Sequence, residues 1–235
     1  MSHPSIPPLH PEFTYRVDLV GNERQPVLVV DNFIANAESL VDYCCQTAQL
    51  NEERGFYPGM RGAGPGLYMD ALSKHLGALI YKTFQLTPQP LRKMRSVYSM
   101  VTTAPDQLSP LQCAPHCDSA NMGDLASVHY LCQPHHGGTS LYRHRETGFE
   151  YVDAGRKAQY RESVTAQEPD FSRSYMNGSN AFFEQIASYE ARFNRLVIYR
   201  STSLHSGNIA PDFNFDPSPR TGRLTLNTFI YMPDN

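Results

Sequence analysis

The sequence predicts a mainly β protein of the α+β class, a sheet core with N-terminal helices packed on one side. Three observations predict it. Two stretches of helical periodicity precede Pro90. Strand-like stretches follow it, separated by Gly, Pro, Asn and Asp. No repeat or linker divides the 235 residues, a length that one substantial core can hold. A single domain is therefore expected: residues 1–12 a loose proline-rich arm, 26–90 a strand and helices, and 91–235 the sheet core.

The elements follow in order. Residues 26–30 (PVLVV) form a short apolar run suited to a buried strand. Asn36 is expected to cap a helix reaching Leu50, in which Ala37, Leu40, Val41 and Cys44 recur at helical spacing. The Gly- and Pro-rich segment 55–66 (GFYPGMRGAGPG) reads as a long loop. A second helix is expected from Met69 to Phe84, with Leu72, Leu76, Leu79 and Ile80 on one face. Strands are expected over 94–102, 125–131, 139–144, 195–203 and 223–231, and a further helix from near Asn180 to Phe193.

Composition narrows the function. The net charge of −3 carries no basic stripe for nucleic acid and no cationic cluster for a membrane surface. No apolar run approaches the ~20 residues that span a bilayer, and the N-terminus lacks a signal-peptide pattern. Five irregularly spaced cysteines argue against a disulfide framework. A reduced, cytoplasmic protein is expected.

The chemistry-bearing pattern is His116-Cys117-Asp118. On a strand, positions i and i+2 face the same side, so an imidazole and a carboxylate can converge on one ion. A second imidazole from a distant strand completes a face of three ligands. The positions left open suit non-haem Fe(II). Two other His-x-Glu pairs occur, His10-Pro11-Glu12 and His144-Arg145-Glu146. The first lies in the proline-rich arm and the second in a charged run read as a solvated edge, so neither is favoured. The stretch from Asn194 to Gly207 supplies the partner, a strand in which His205 shares parity with Val197, Tyr199, Ser201 and Ser203. A structural zinc site on Cys113, His116 and Cys117 lacks a matching second half. His135 and His136 are expected in an exposed turn.

The C-terminal strand alternates. Arg223, Thr225, Asn227 and Phe229 share one face, and Leu224, Leu226, Thr228 and Ile230 the other. With the apolar face on the helices, Arg223, Thr225 and Asn227 face a polar interior. An arginine there suits a dicarboxylate, because guanidinium grips a carboxylate with two parallel charge-assisted bonds and the Thr225 hydroxyl can donate another. Arg220 is the fallback anchor.

From about Arg95 to Tyr231 the sequence resembles the 2-oxoglutarate/Fe(II) dioxygenases, especially the prolyl-hydroxylase-like branch. The resemblance rests on His116-Cys-Asp118, Gly137-Gly138 before a strand, the stretch from Phe193 to Tyr199 leading to His205, and the Arg223 strand. It implies a double-stranded β-helix (jelly-roll) core. It also implies Fe(II) on His116, Asp118 and His205, and 2-oxoglutarate as co-substrate. Tyr130 resembles a tyrosine that assists the co-substrate carboxylate, and Tyr98 another pocket tyrosine. The aspartate of the triad disfavours a halogenase. The eighteen positions from His205 to Arg223 exceed the family's usual gap, so the insert 210–219 is expected to loop outward. The resemblance implies hydroxylation of a substrate that no motif identifies, whether small molecule, peptide or protein. The loop 55–66, residues 143–145 and the long stretch 155–178 could form its rim or lid, with Met60 and Arg61 placed to touch the substrate. The alternatives are a non-catalytic jelly-roll docking module and a cupin-like metalloenzyme that does not use 2-oxoglutarate.

Overall fold

Two antiparallel sheets lie face to face, with helices on both outer sides, across residues 6–53, 55–88 and 93–232 described by the computed structural model. The large sheet uses β1 (Thr14–Val20), β2 (Gln25–Asp31), β3 (Asn51–Glu52), β4 (Gly59–Ala63), β5 (Lys93–Val101), β6 (Leu125–Tyr130), β9 (Arg195–Arg200) and β11 (Leu224–Tyr231). Their spatial order is β1-β2-β9-β6-β11-β5-β4-β3. The small sheet is β10 (His205–Gly207), β7 (Thr139–His144) and β8 (Phe183–Tyr189), with β7 in the middle.

Alternation along the strands sorts the side chains into layers. On the outer face of the large sheet, Leu28, Leu196, Leu224 and Leu226 pack on Leu40, Leu72, Leu76 and Ile80. The last four belong to α1 (Glu38–Gln46) and α2 (Gly66–Phe84). On its inner face, Val29, Val128 and Val197 meet Leu141 and Tyr189 of the small sheet. Beyond the small sheet, Tyr142 and Phe183 pack on Val164 of α3 (Lys157–Gln167). No helix among the described residues is long and apolar enough to cross a membrane.

The expected strand 139–144 is β7 at both ends. Several other expectations change. Asn36 does not cap α1; its carbonyl accepts from the Ser39 N–H in a preceding turn, and the helix stops at Gln46 because residues 51–52 are drawn into the large sheet. The segment read as a loop at 55–66 contains β4, whose register on β5 is continuous from Gly59 to Ala63. The stretch 180–193 holds a strand over Phe183–Tyr189 rather than a helix. The Asn180 side-chain oxygen accepts from the N–H groups of Phe182 and Phe183, turning the chain into β8, which pairs along β7. Residues 6–12 are anchored as well: the carbonyls of Pro7 and Pro8 accept from His75 and Ala35, and Leu9 bridges Ile34. Residues 1–5 of the expected arm lie outside the described residues.

Candidate active site

The chain changes sheets between β9 and β10. After Arg200 it turns through Ser201 and Thr202, and His205 emerges on the small sheet opposite Leu141. The parity argument that linked His205 to Val197 therefore fails, because the turn resets the alternation. A different contact brings the histidines together. His116 and His205 exchange backbone hydrogen bonds, N–H to carbonyl in both directions, each at 2.9 Å. Such a pair projects both side chains to the same side, and the ring centroids stand 4.4 Å apart. Two residues on, the Asp118 N–H donates to the Ser201 carbonyl at 2.7 Å. The sheet-switching turn thus holds one end of the 116–118 segment and β10 the other.

The three side chains converge. One potential ligand atom from each of His116, Asp118 and His205 lies within 4.8 Å of the others. His116 Nε2 is 3.7 Å from Asp118 Oδ1, and His205 Nε2 is 3.4 Å from Asp118 Oδ2. His205 Nδ1–H donates to the Ser203 carbonyl at 3.0 Å, which leaves the Nε2 lone pair for a metal. The His205 ring also packs on Tyr199, with centroids 4.7 Å apart. His116 is open to solvent over 54% of its side chain, with desolvation coming from the protein packed against the rest of it. That desolvation, with the neighbouring His205, pushes its pKa down to about 4 and keeps the ring neutral at pH 7.

Arg223 faces the same interior from the opposite direction. It is 4% exposed; its Nη2 donates to the Gly138 carbonyl at 2.8 Å, and its Nε is buried with no hydrogen bond. Thr225 and Tyr130 are direct cross-strand partners. The Tyr130 hydroxyl donates to Thr139 at 2.6 Å, and burial, opposed by the Arg223 charge, raises its pKa to about 12. Asn227 lies two residues beyond Thr225 and points its amide at Ser99. Arg223, Thr225 and Asn227 gather on the inner face, as the alternation of β11 predicts, and Tyr130 joins them from β6.

Tyr98 does not join them. Its register partner is Leu226, on the helix-facing side, and its hydroxyl donates to the Leu40 carbonyl at 2.7 Å. Its neighbour Ser99, opposite Thr225, has the inward position. Arg220 lies outside the site, ion-paired with Asp42 of α1 at 2.7 Å. His144, expected at a solvated edge, is fully buried, bonded at 2.9 Å to both Thr147 and Gln167. His10 Nδ1 accepts from the Glu12 N–H within its own turn. The Cys113 thiol donates to the Ser109 carbonyl, and all five cysteines are free.

Two residues enter the site with little advance signal. Arg61, on β4 opposite Ser99, has its guanidinium 4.3 Å from the centroid of the Tyr57 ring. It lies close enough for its charge to help depress the pKa of His116. Gly and Pro around 55–66 mask β4, so the sequence reads Arg61 as part of a loop instead of a strand. The alternation Met60, Arg61, Gly62 is the trace that β4 left: Met60 packs on the helix-side core and Arg61 turns inward.

The fold is similar to those of solved non-haem α-ketoglutarate-dependent enzymes. The carbocyclase SnoK from nogalamycin biosynthesis superposes with a TM-score of 0.51 at 10% identity, covering 87% of this chain and 79% of that one. The epimerase SnoN from the same biosynthesis gives 0.50 at 11% identity, covering 88% and 78%. HygX from Streptomyces hygroscopicus, solved with nickel and 2-oxoglutarate, gives 0.50 at 13% identity, covering 88% and 82%. No curated protein matches the sequence. A family model does match, over residues 11–230, and the chain belongs to that family, described as a family of unknown function (DUF6445).

Proposed function

We propose that this protein is a single-domain Fe(II)/2-oxoglutarate-dependent oxygenase, a hydroxylase built on a double-stranded β-helix formed by its two facing sheets. The observation that carries the reading is the convergence of His116, Asp118 and His205 at the mouth of an interior that also holds Arg223. Two imidazoles and one carboxylate on one side of an ion leave its other positions open, the donor set of non-haem Fe(II). The co-substrate fits the far end. A buried guanidinium nitrogen without a partner is costly unless an acceptor arrives, and Arg223 Nε is such a nitrogen. A distal carboxylate supplies it.

Each residue then has a task. His116, Asp118 and His205 hold the metal, and the Ser203 carbonyl fixes the tautomer of His205. Arg223 binds the distal carboxylate, while Gly138 sets the plane of its guanidinium. Tyr130, whose hydroxyl donates to Thr139, and Thr225, whose hydroxyl donates to the Ser99 carbonyl rather than into the site, form the wall beside it. The aromatic and aliphatic inner face excludes water from this end. When bound, iron and 2-oxoglutarate supply the oxidising chemistry that inserts oxygen into a substrate C–H bond.

Anaerobic titration of the Fe(II) protein with 2-oxoglutarate tests the reading. The expected result is a weak visible charge-transfer band in the wild type that is absent from His205→Ala. Calorimetry showing binding of neither Fe(II) nor 2-oxoglutarate would overturn it.

A further inference from the structure

We propose that Arg61, braced by Tyr57, is the docking point for a carboxylate of the substrate, so that the substrate is a monocarboxylate. The inference rests on the oxygenase reading for what occupies the rest of the site.

The argument begins with position. Arg61, Ser99, Thr225 and Tyr130 are successive register partners across β4, β5, β11 and β6. Register partners share a face, so Arg61 points into the same interior as Thr225, two strands away. Strand spacing sets those two at roughly 10 Å. Arg61 therefore stands beside the co-substrate end, displaced towards the edge of the large sheet and within electrostatic reach of His116.

Charge supplies the second step. Arg61 has no ion pair with any described residue, and its Nε is buried without a hydrogen bond. The other charges of the site cancel. A divalent metal and Arg223 contribute three positive charges. Asp118 and a 2-oxoglutarate dianion contribute three negative ones. Arg61 then leaves one positive charge unbalanced in a partly desolvated recess, which is costly unless an anion comes with the substrate.

The surroundings select the anion. The Tyr57 ring covers one face of the guanidinium, so a ligand approaches along its edge, in the two-pronged geometry that matches a carboxylate. The Tyr57 hydroxyl is buried beside Ser99 without a hydrogen bond of good geometry, and burial keeps it protonated. It is a donor with room for one more acceptor. A single negative charge balances the site, whereas a phosphate dianion overshoots it. Tyr57 and the nearby Tyr175, whose hydroxyl is tied to the Thr103 carbonyl at 2.7 Å, make the neighbouring wall aromatic.

The test uses protein loaded with Ni(II), which is redox-inert here, and saturated with 2-oxoglutarate. Benzoate and its neutral counterpart benzamide are then titrated by calorimetry. Benzoate is expected to bind about tenfold or more tighter than benzamide. Arg61→Gln is expected to remove that preference while leaving 2-oxoglutarate affinity unchanged, and Arg61→Lys to restore part of it. Equal binding of the two probes, no benzoate binding by the wild type, or an undiminished preference in Arg61→Gln overturns the proposal. So does loss of 2-oxoglutarate binding in Arg61→Gln but not in Arg223→Gln, which would make Arg61 the co-substrate anchor. If 2-oxoglutarate does not bind the wild type, the oxygenase reading fails by itself. The same benzoate titration on the Ni(II) protein then decides the Arg61 site, by whether Arg61→Gln abolishes the preference.

Discussion

Arg223 and Gly138 meet across the two sheets, the guanidinium Nη2 donating to the glycine carbonyl at 2.8 Å. The contact depends on the paired glycines. A Cβ on Gly138 would lie 1.8 Å from the Tyr189 carbonyl, and Gly137 has a φ of +78°, so neither position accepts a side chain without moving the backbone. With one edge of the guanidinium committed to Gly138, Nε remains for a ligand. Replacing Arg223 by Gln is expected to weaken 2-oxoglutarate binding roughly a hundredfold, the loss of about 3 kcal/mol of charge-assisted bonding. Metal content should not change. Calorimetry on the Ni(II) protein, with metal analysis of the same sample, checks both.

The reciprocal backbone bonds of His116 and His205 predict that metal loss and folding are separable. The bonds do not involve the imidazoles, so His205→Ala keeps the bridge and removes only a ligand. Purified His205→Ala and Asp118→Ala are expected to retain little iron while showing wild-type far-ultraviolet circular dichroism. Cys117→Ser should retain its metal, since its thiol lies outside the converging group. Metal loss in Cys117→Ser would point back to a sulfur site.

The two tyrosines brought forward by family resemblance should behave differently. Tyr98→Phe leaves the buried Leu40 carbonyl without its donor and is expected to cost about 1–2 kcal/mol of stability, with 2-oxoglutarate affinity unchanged. Tyr130→Phe acts beside Arg223 and should weaken 2-oxoglutarate several-fold. Denaturant melts paired with calorimetry separate the two effects; a co-substrate defect in Tyr98→Phe would contradict the outward placement.

Stability should fall on mild acidification because of His129. This side chain is fully buried between Phe33 and Tyr68, with Nε2 bonded to Asn194 and Nδ1 without a partner. Burial lowers its pKa from 6.5 to about 4. Between those values the unfolded chain binds a proton that the folded chain refuses, so stability drops as pH falls through 6.5 and stops dropping for this group near 4. The full effect is about 3 kcal/mol. Melting temperatures of the wild type and His129→Gln at pH 7 and pH 5 check it; the variant should show a smaller difference between the two.

The sequence was most legible where alternation is dense. β7 and β11 carry uninterrupted patterns, and the inward placement of Arg223, Thr225 and Asn227 follows from parity alone. His116 and Asp118 were also visible, although the reason they converge with His205 was not. Strand parity pointed at the right histidine through a strand that in fact ends at Arg200, and the decisive contact is a bridge between residues 89 positions apart in the chain. Tyr98 shows how sharply register matters: Ser99, one residue on, faces the interior instead. β4 was hidden by composition. Its glycines suppress the strand signal, and what holds it extended is pairing with β5, a partner more than thirty residues away.

Among the described residues β11 is the last strand, and it lies in the middle of the large sheet, joining β6 on one side to β5 on the other. During synthesis, β5 with β4 and β3 and the group β6, β9, β2 and β1 have no strand between them until residues 224–231 emerge. The strand that closes the gap follows directly on Arg223. A chain interrupted anywhere before it therefore presents two open sheet edges and no anchor for a dicarboxylate, so assembly of the barrel-like interior and acquisition of its binding competence are one late event.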